Sequence, residues 1–244
     1  MSQKLCYLLW SSETDRARCC DLLIHDAAPR LLARGPERLV AHIIDPESKV
    51  RAPTPFHPND PPAPSGLLDL WLRDAEERLP YEPILQETGF RIAGYLVEES
   101  IYRDYGGNSH AAPRSWPDGV RSPGITQVTL LERPERLPRE EWIRRWHGTM
   151  SPVSEAIQPR TRYVRNLVLR PLSADAPAFE GIVVECWPSA RHLTNPFLFY
   201  GARTPIGLGV NLFRILRAVT GFLDLRRIRT TMTGEYFLKT DFRG

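Results

Sequence analysis

The sequence predicts an α+β fold made of two consecutive β-α-β-β-α-β halves. Two observations carry this reading. Apolar, β-branched runs alternate with amphipathic stretches in the same order twice along the 244 residues. A Pro/Gly/Ser-rich run at 106–124, GGNSHAAPRSWPDGVRSPG, divides the two series near the midpoint. The expected division is therefore an N-terminal half at 1–105, a linker at 106–122 and a C-terminal half at 123–240.

In the first half, strands are expected at 5–10, 38–45, 67–72 and 90–102. A helix at 15–32 starts from Thr14 as N-cap. A second helical region at 73–87 is broken at Pro80. The proline-rich stretch 51–66 has neither helical nor strand period; it is long for a plain loop and reads as a lid or a wrapped arm. In the second half, strands are expected at 124–132, 162–170, 181–187 and 228–239. One helix covers 139–154, and residues 195–223 are helical in parts, with a break near 205–209.

This order of elements is ferredoxin-like. Two four-stranded sheets of that kind bury their open faces by packing into one eight-stranded barrel with the helices outside. Such a barrel can be filled by side chains or hold one small ligand. Here both halves lie on one chain, so a single polypeptide could form the barrel that half-length relatives make by dimerising. Landmarks also repeat between the halves. The run from Leu22 to Ile44 resembles the run from Arg144 to Val168, pairing His25 with His147. "GLLDLW" resembles "IVVECW", pairing Asp69 with Glu185 and Trp71 with Trp187.

Composition narrows the function classes. The chain is 42% hydrophobic and 25% charged, ordinary globular values that exclude wholesale disorder. No apolar run approaches the roughly 18 residues of a spanning helix, and the N-terminus lacks the basic start of a secretory signal. The expected location is the cytoplasm. Cys6, Cys19, Cys20 and Cys186 include no CxxC pair, and the six histidines show no HxxxH spacing, so neither a disulfide framework nor a metal site is expected. No glycine-rich phosphate loop follows a strand.

A net charge of +3 gives no argument for nucleic acid. Its distribution is uneven: residues 1–120 hold 13 Lys+Arg against 18 Asp+Glu, and residues 121–244 hold 19 against 11. Halves of opposite sign that dock on each other account for this. The basic amphipathic stretch 211–230 reads as a barrel-covering helix with its arginines in water, and no membrane partner is expected.

The stretch "LPREEWIRRWHGTMSPVSEAIQPRTRYVRNLVLRPL" carries Trp142, Trp146 and His147 on a helix, then Tyr163 and Asn166 in a Tyr-x-x-Asn strand. This run resembles the EthD domain, a family of the dimeric α+β barrel superfamily, over residues 123–240. The family's acidic-then-aromatic strand end is matched by Glu185 and Trp187. The first half keeps His25 but has neither the preceding Trp nor the Tyr-x-x-Asn. The resemblance implies an α+β barrel. The superfamily spans cofactor-free monooxygenases, muconolactone-type isomerases, polyketide cyclases and haem-handling enzymes, so the fold alone does not fix a reaction.

His147 is the first candidate for proton transfer, because its ordinary pKa of about 6.5 lies near neutrality. Asn166 or Tyr163 would orient a carbonyl or enolate oxygen; three apart on a strand, they point to opposite faces, and Asn166 is the better choice. Trp142, Trp146, Glu185, Trp187 and His25 are candidates for binding substrate, although core packing or an ion pair explains each of them as well. The expected function is a cofactor-independent enzyme, of isomerase, cyclase, dehydratase, decarboxylase or monooxygenase type. Its substrate would be a small hydrophobic or polyketide-like compound entering the barrel. The alternative is a non-catalytic binding or accessory barrel. A homodimer is compatible with either.

Overall fold

The computed structural model describes residues 2–57 and 60–240. Eight strands form one closed antiparallel barrel: β1 (Gln3–Ser11), β2 (Arg38–Ile43), β3 (Gly66–Leu72), β4 (Phe90–Arg103), β5 (Ile125–Leu131), β6 (Arg162–Pro171), β7 (Gly181–Trp187) and β8 (Arg229–Lys239). Around the barrel the order is β4-β1-β3-β2 and then β8-β5-β7-β6. Both halves thus arrange their strands fourth, first, third, second, and the barrel closes through β2–β8 and β4–β6.

Helices lie outside. α1 (residues 16–33) and α3 (residues 139–157) are the long first helices of their halves, and α2 (Glu82–Glu87) follows a 3-10 turn at Ala75–Arg78. Two short helices, α4 (Ala190–Thr194) and α5 (Pro196–Phe199), precede the 18-residue α6 (Pro205–Phe222).

Several boundaries differ from expectation for identifiable reasons. Asp15, not Thr14, caps α1, because its carboxylate accepts the Arg18 backbone N–H. Pro205 begins α6 instead of breaking it. Thr204 is extended and its hydroxyl accepts the Gly207 N–H, so the proline falls in the first turn, where its missing donor costs nothing. His25 and His147 are not near helix ends. α1 and α3 each widen into a π-helical stretch, Leu22–Ala27 and Trp146–Met150, and then continue. Pro29 and Pro152 follow these stretches at once. A helical proline cannot donate to, and collides with, the carbonyl four residues back; a wider turn relieves both problems without ending the helix.

The barrel interior is filled. Cys6, Leu8, Leu67, Ala93, Tyr95, Val128, Val164, Ile182 and Val184 form its apolar part, all buried. One end carries a layer of buried charge. Lys4 Nζ lies 2.6 Å from Asp69 and 2.8 Å from Glu99, and 4.5 Å from the Trp71 ring centre. Arg162 lies 2.9 Å from Glu235, and Tyr105 donates to the same carboxylate at 2.8 Å. Tyr105, Trp116 and Phe237 close that end, so the linker acts as a plug. At the other end Phe56, Ala176 and Phe179 pack on the apolar part.

The interior corrects two expectations. Buried side chains occupy the interior that was expected to take a ligand. The pairing of Asp69 with Glu185 also fails: Gly66 and Gly181 open their strands equivalently, so Asp69 corresponds to Val184. Asp69 and Trp71 face inward while Glu185 and Trp187 face outward, as a one-residue slip requires.

The charge asymmetry has a structural counterpart at the junction of the halves. Arg121 meets Asp45 at 2.6 Å, Arg229 meets Asp60 at 2.6 Å, and Arg162 meets Asp104 at 3.0 Å, each a cation from the basic part against an acid from the acidic one.

Burial alone would raise the Asp69 carboxyl, but the Lys4 ammonium and His42 hold it well below the usual carboxylate range. Lys4→Met strands that charge inside the barrel and is expected to lower the unfolding free energy by ~3–5 kcal/mol in urea titration. The Asp69 contribution is complete above its unfolded value of about 4 and is lost as the pH falls further. Asp69→Asn should therefore unfold less steeply in acid than the wild type.

Candidate functional site

The outer faces of the two half-barrels are covered differently. On β1, Leu5, Tyr7 and Leu9 pack directly against Leu23, Ala27 and Leu31 of α1, all fully buried. This layer is continuous. On the C-terminal half, α3 and α6 share the covering of the sheet, and a space remains between them and the strands. The gap is a cavity of about 220 Å³. That is just below the roughly 300–1,000 Å³ of common ligand pockets and suits a compact ligand.

Strand alternation sends Gln127 and Thr129 of β5, Tyr163 of β6, and Val183 and Glu185 of β7 into the cavity floor. Trp146 and Met150 from the π turn of α3 form one wall. Ile215, Val219 and Phe222 of α6, with Phe199 and Tyr200, form the roof. Pro53 and Thr54 complete the rim, which shows what the proline-rich stretch does. Its residue Thr54 reaches from the N-terminal half to β8. The Thr54 carbonyl accepts the Thr230 N–H at 2.9 Å, and the two threonine hydroxyls meet at 2.7 Å.

The polar groups are grouped on the floor. Glu185 is held by the Arg160 guanidinium and accepts from Gln127 Nε2 at 3.1 Å. Arg160 also donates to Ser154 Oγ at 2.9 Å and lies 3.9 Å from the Tyr163 ring centre. The Tyr163 hydroxyl lies 3.1 Å from Ser151 Oγ and accepts from Trp146 Nε1 at 3.4 Å. Burial pushes the Tyr163 phenol up despite the nearby Arg160 charge, so it stays a neutral donor at neutral pH. Gly181 makes the placement of Trp146 possible: a Cβ there would sit 2.9 Å from Trp146 Cη2.

The expected site residues therefore separate. Tyr163, Glu185 and Trp146 line the cavity together. Trp142 lies behind Trp146, with ring centres 5.0 Å apart, and Trp187 stacks on Phe199 at 4.7 Å, so both support lining residues without lining the cavity themselves. Asn166 faces the barrel interior, where its Nδ2 donates to the Ile182 carbonyl at 3.1 Å. His25 is on open surface, 75% exposed and 3.9 Å from Asp21. His147 points away from the cavity. Its ring meets the edge of Trp146 at 4.9 Å, and its Nε2 is buried without a hydrogen-bond partner.

Gln127 and Arg160 were missed. Gln127 could have been found by alternation, since it shares its face with Thr129 in ITQVTLL. Arg160 sits in a loop between α3 and β6, where no period applies. Among the described residues, no group of three or more His, Cys, Asp or Glu side chains is placed to hold a metal ion.

Burial, reinforced by the nearby Arg165 charge, lowers the His147 pKa to about 4. The unfolded chain, with a value of about 6.5, takes up this proton first. Stability is thus undiminished above about pH 6.5 and is lost as the pH falls towards 4. His147→Gln should flatten the melting temperature across that window, read by calorimetry at successive pH values.

No protein-family model matches the chain, and no curated protein matches it. Among solved structures it is similar to an anthrone oxidase-like protein, with TM-score 0.54 and 11% identity, covering 99% of this chain and 95% of that one. A putative monooxygenase from Lactobacillus acidophilus NCFM follows at TM-score 0.45 and 10% identity, covering 97% and 96%. A mutant chlorite dismutase from Candidatus Nitrospira defluvii has TM-score 0.46 and 10% identity, covering 97% and 91%. At TM-score 0.54 and 11% identity, the first likeness shows the fold alone, that of the dimeric α+β barrels, here closed within one chain.

Proposed function

We propose that the chain is a cofactor-independent enzyme that moves a proton on a small aromatic or polyketide-like compound held between the C-terminal sheet and α6. The observation that carries this is the composition of the cavity: a largely apolar lining, with the Glu185 carboxylate, the Gln127 amide, the Thr129 hydroxyl and the Tyr163 phenol together on the floor. A flat hydrophobic molecule gains affinity from the walls. Glu185 is the base for an acidic C–H, and Arg160 and Gln127 hold it in position. Tyr163 donates to the oxygen on which negative charge develops, an arrangement worth most where water is excluded. Isomerisation, cyclisation or decarboxylation follows from the same first step. In the monooxygenase variant the resulting carbanion reduces dioxygen.

His147 and Asn166 keep supporting places in this reading: one shapes the helix that carries Trp146, and the other fills the barrel. We further read the chain as an EthD-like tandem duplication. The shared strand order and the π turns at matching points of α1 and α3 support this. A binding-only barrel is the second reading, favoured by the satisfied Glu185–Arg160 ion pair.

Anthrone is the first compound to offer, given the description of the fold neighbour. Deuterium exchange at its acidic methylene in heavy water reports proton abstraction directly. Glu185→Gln should slow exchange ~10²–10⁴-fold while the dissociation constant barely changes. Tyr163→Phe should slow it less, and His147→Ala should leave it near wild type. Full exchange in Glu185→Gln would sink the assignment, and tight binding without exchange in the wild type would select the binding-only barrel.

A further inference from the structure

α6 has two apolar faces, and the cavity uses only one of them. At 100° per residue, Ile215, Ala218 and Phe222 point inward and are buried. On the opposite side Ile206, Val210 and Phe213 form an i, i+4, i+7 stripe, 82%, 52% and 64% exposed, with Leu216 at its margin. Nine large hydrophobics are exposed among the described residues, and five of them lie between 206 and 225. A helix that only covered a sheet would turn polar residues to this side.

The charge of the same region has one sign. Residues 188–223 contain four arginines and no Asp or Glu. Arg203, Arg214 and Arg217 are exposed, and no ion pair neutralises them among the described residues. Arg214 and Arg217 rise beside the stripe and line a groove of about 400 Å³ between α6 and α3. Its other walls are apolar Val153, Phe213 and Ala218, with Arg145 at one end, already paired to Glu141.

We propose that the outward face of α6 docks on an anionic phospholipid surface. The stripe enters the acyl–headgroup boundary, and Arg214, Arg217 and Arg203 meet lipid phosphates. This is interfacial binding, since no helix among the described residues is long and apolar enough to cross a membrane. Charge complementarity selects this occupant over a second copy of the chain. A two-fold contact of α6 on α6 would set Arg217 and Arg214 against their own counterparts, with no acid in the segment to separate them. The inference departs from the sequence expectation of a barrel-covering helix with its arginines in water and no membrane partner. It is independent of the reaction proposed above.

The test is co-sedimentation of the full chain with vesicles of phosphatidylcholine alone or mixed with phosphatidylglycerol. Binding is expected to the mixed vesicles only, and to weaken as salt is raised. Arg214→Gln and Arg217→Gln should each weaken it ~5-fold, and both together ~25-fold. Phe213→Ser should weaken it while leaving the circular dichroism and melting temperature unchanged, because the side chain is exposed. Equal binding to both vesicles, no binding, or indifference to the arginine pair overturns the proposal. So does a dimer in sedimentation velocity that Phe213→Ser dissolves, which would assign the stripe to a second copy.

Discussion

Closure of the eight strands is the constraint on which the rest of the molecule depends. A barrel of this size leaves an interior that side chains can just fill, and here they fill it. The charges among them are tolerable only as pairs. Lys4 pairs with Asp69 and Glu99 on the two strands beside its own, and Arg162 of β6 reaches across the interior to Glu235 of β8. Tyr105, just before the linker, and Trp116 within it then close the charged end. Removing one member leaves a bare charge where water cannot reach it.

Side chains occupy the interior, and the cavity lies between sheet and helices. The halves differ there for a local reason. α1 lies directly on its sheet through small and branched side chains such as Ala27, Leu23 and Leu31. On the other half, α3 presents the two large rings of Trp142 and Trp146, and the roof is a separate helix arriving from residue 205. Two tryptophans and a spanning helix cannot settle as closely as leucine and alanine, and the remaining gap is the cavity.

α6 links the cavity to the surface. Its inward face closes the site, and its outward face is apolar and basic at once. The proline-rich stretch contributes at the rim, where Pro53 and Thr54 from one half complete a site built by the other.

The sequence by itself determined the order of strands and helices and the opposite faces of Tyr163 and Asn166. These follow from local period, which the backbone enforces residue by residue. It also placed Trp146 and Glu185 in candidate roles by residue type. Only the tertiary structure decided where the cavity lies, because that depends on how helices pack over their sheet, a property of packed volumes and not of any single segment. It left His147 outside the cavity lining, while Trp146, its neighbour on the π-helical stretch of α3, lines it. It joined Arg160 to Glu185 across twenty-five positions of chain. And it corrected the pairing of Asp69 with Glu185, because a one-residue slip in a strand is nearly silent in sequence yet turns every side chain to the other face.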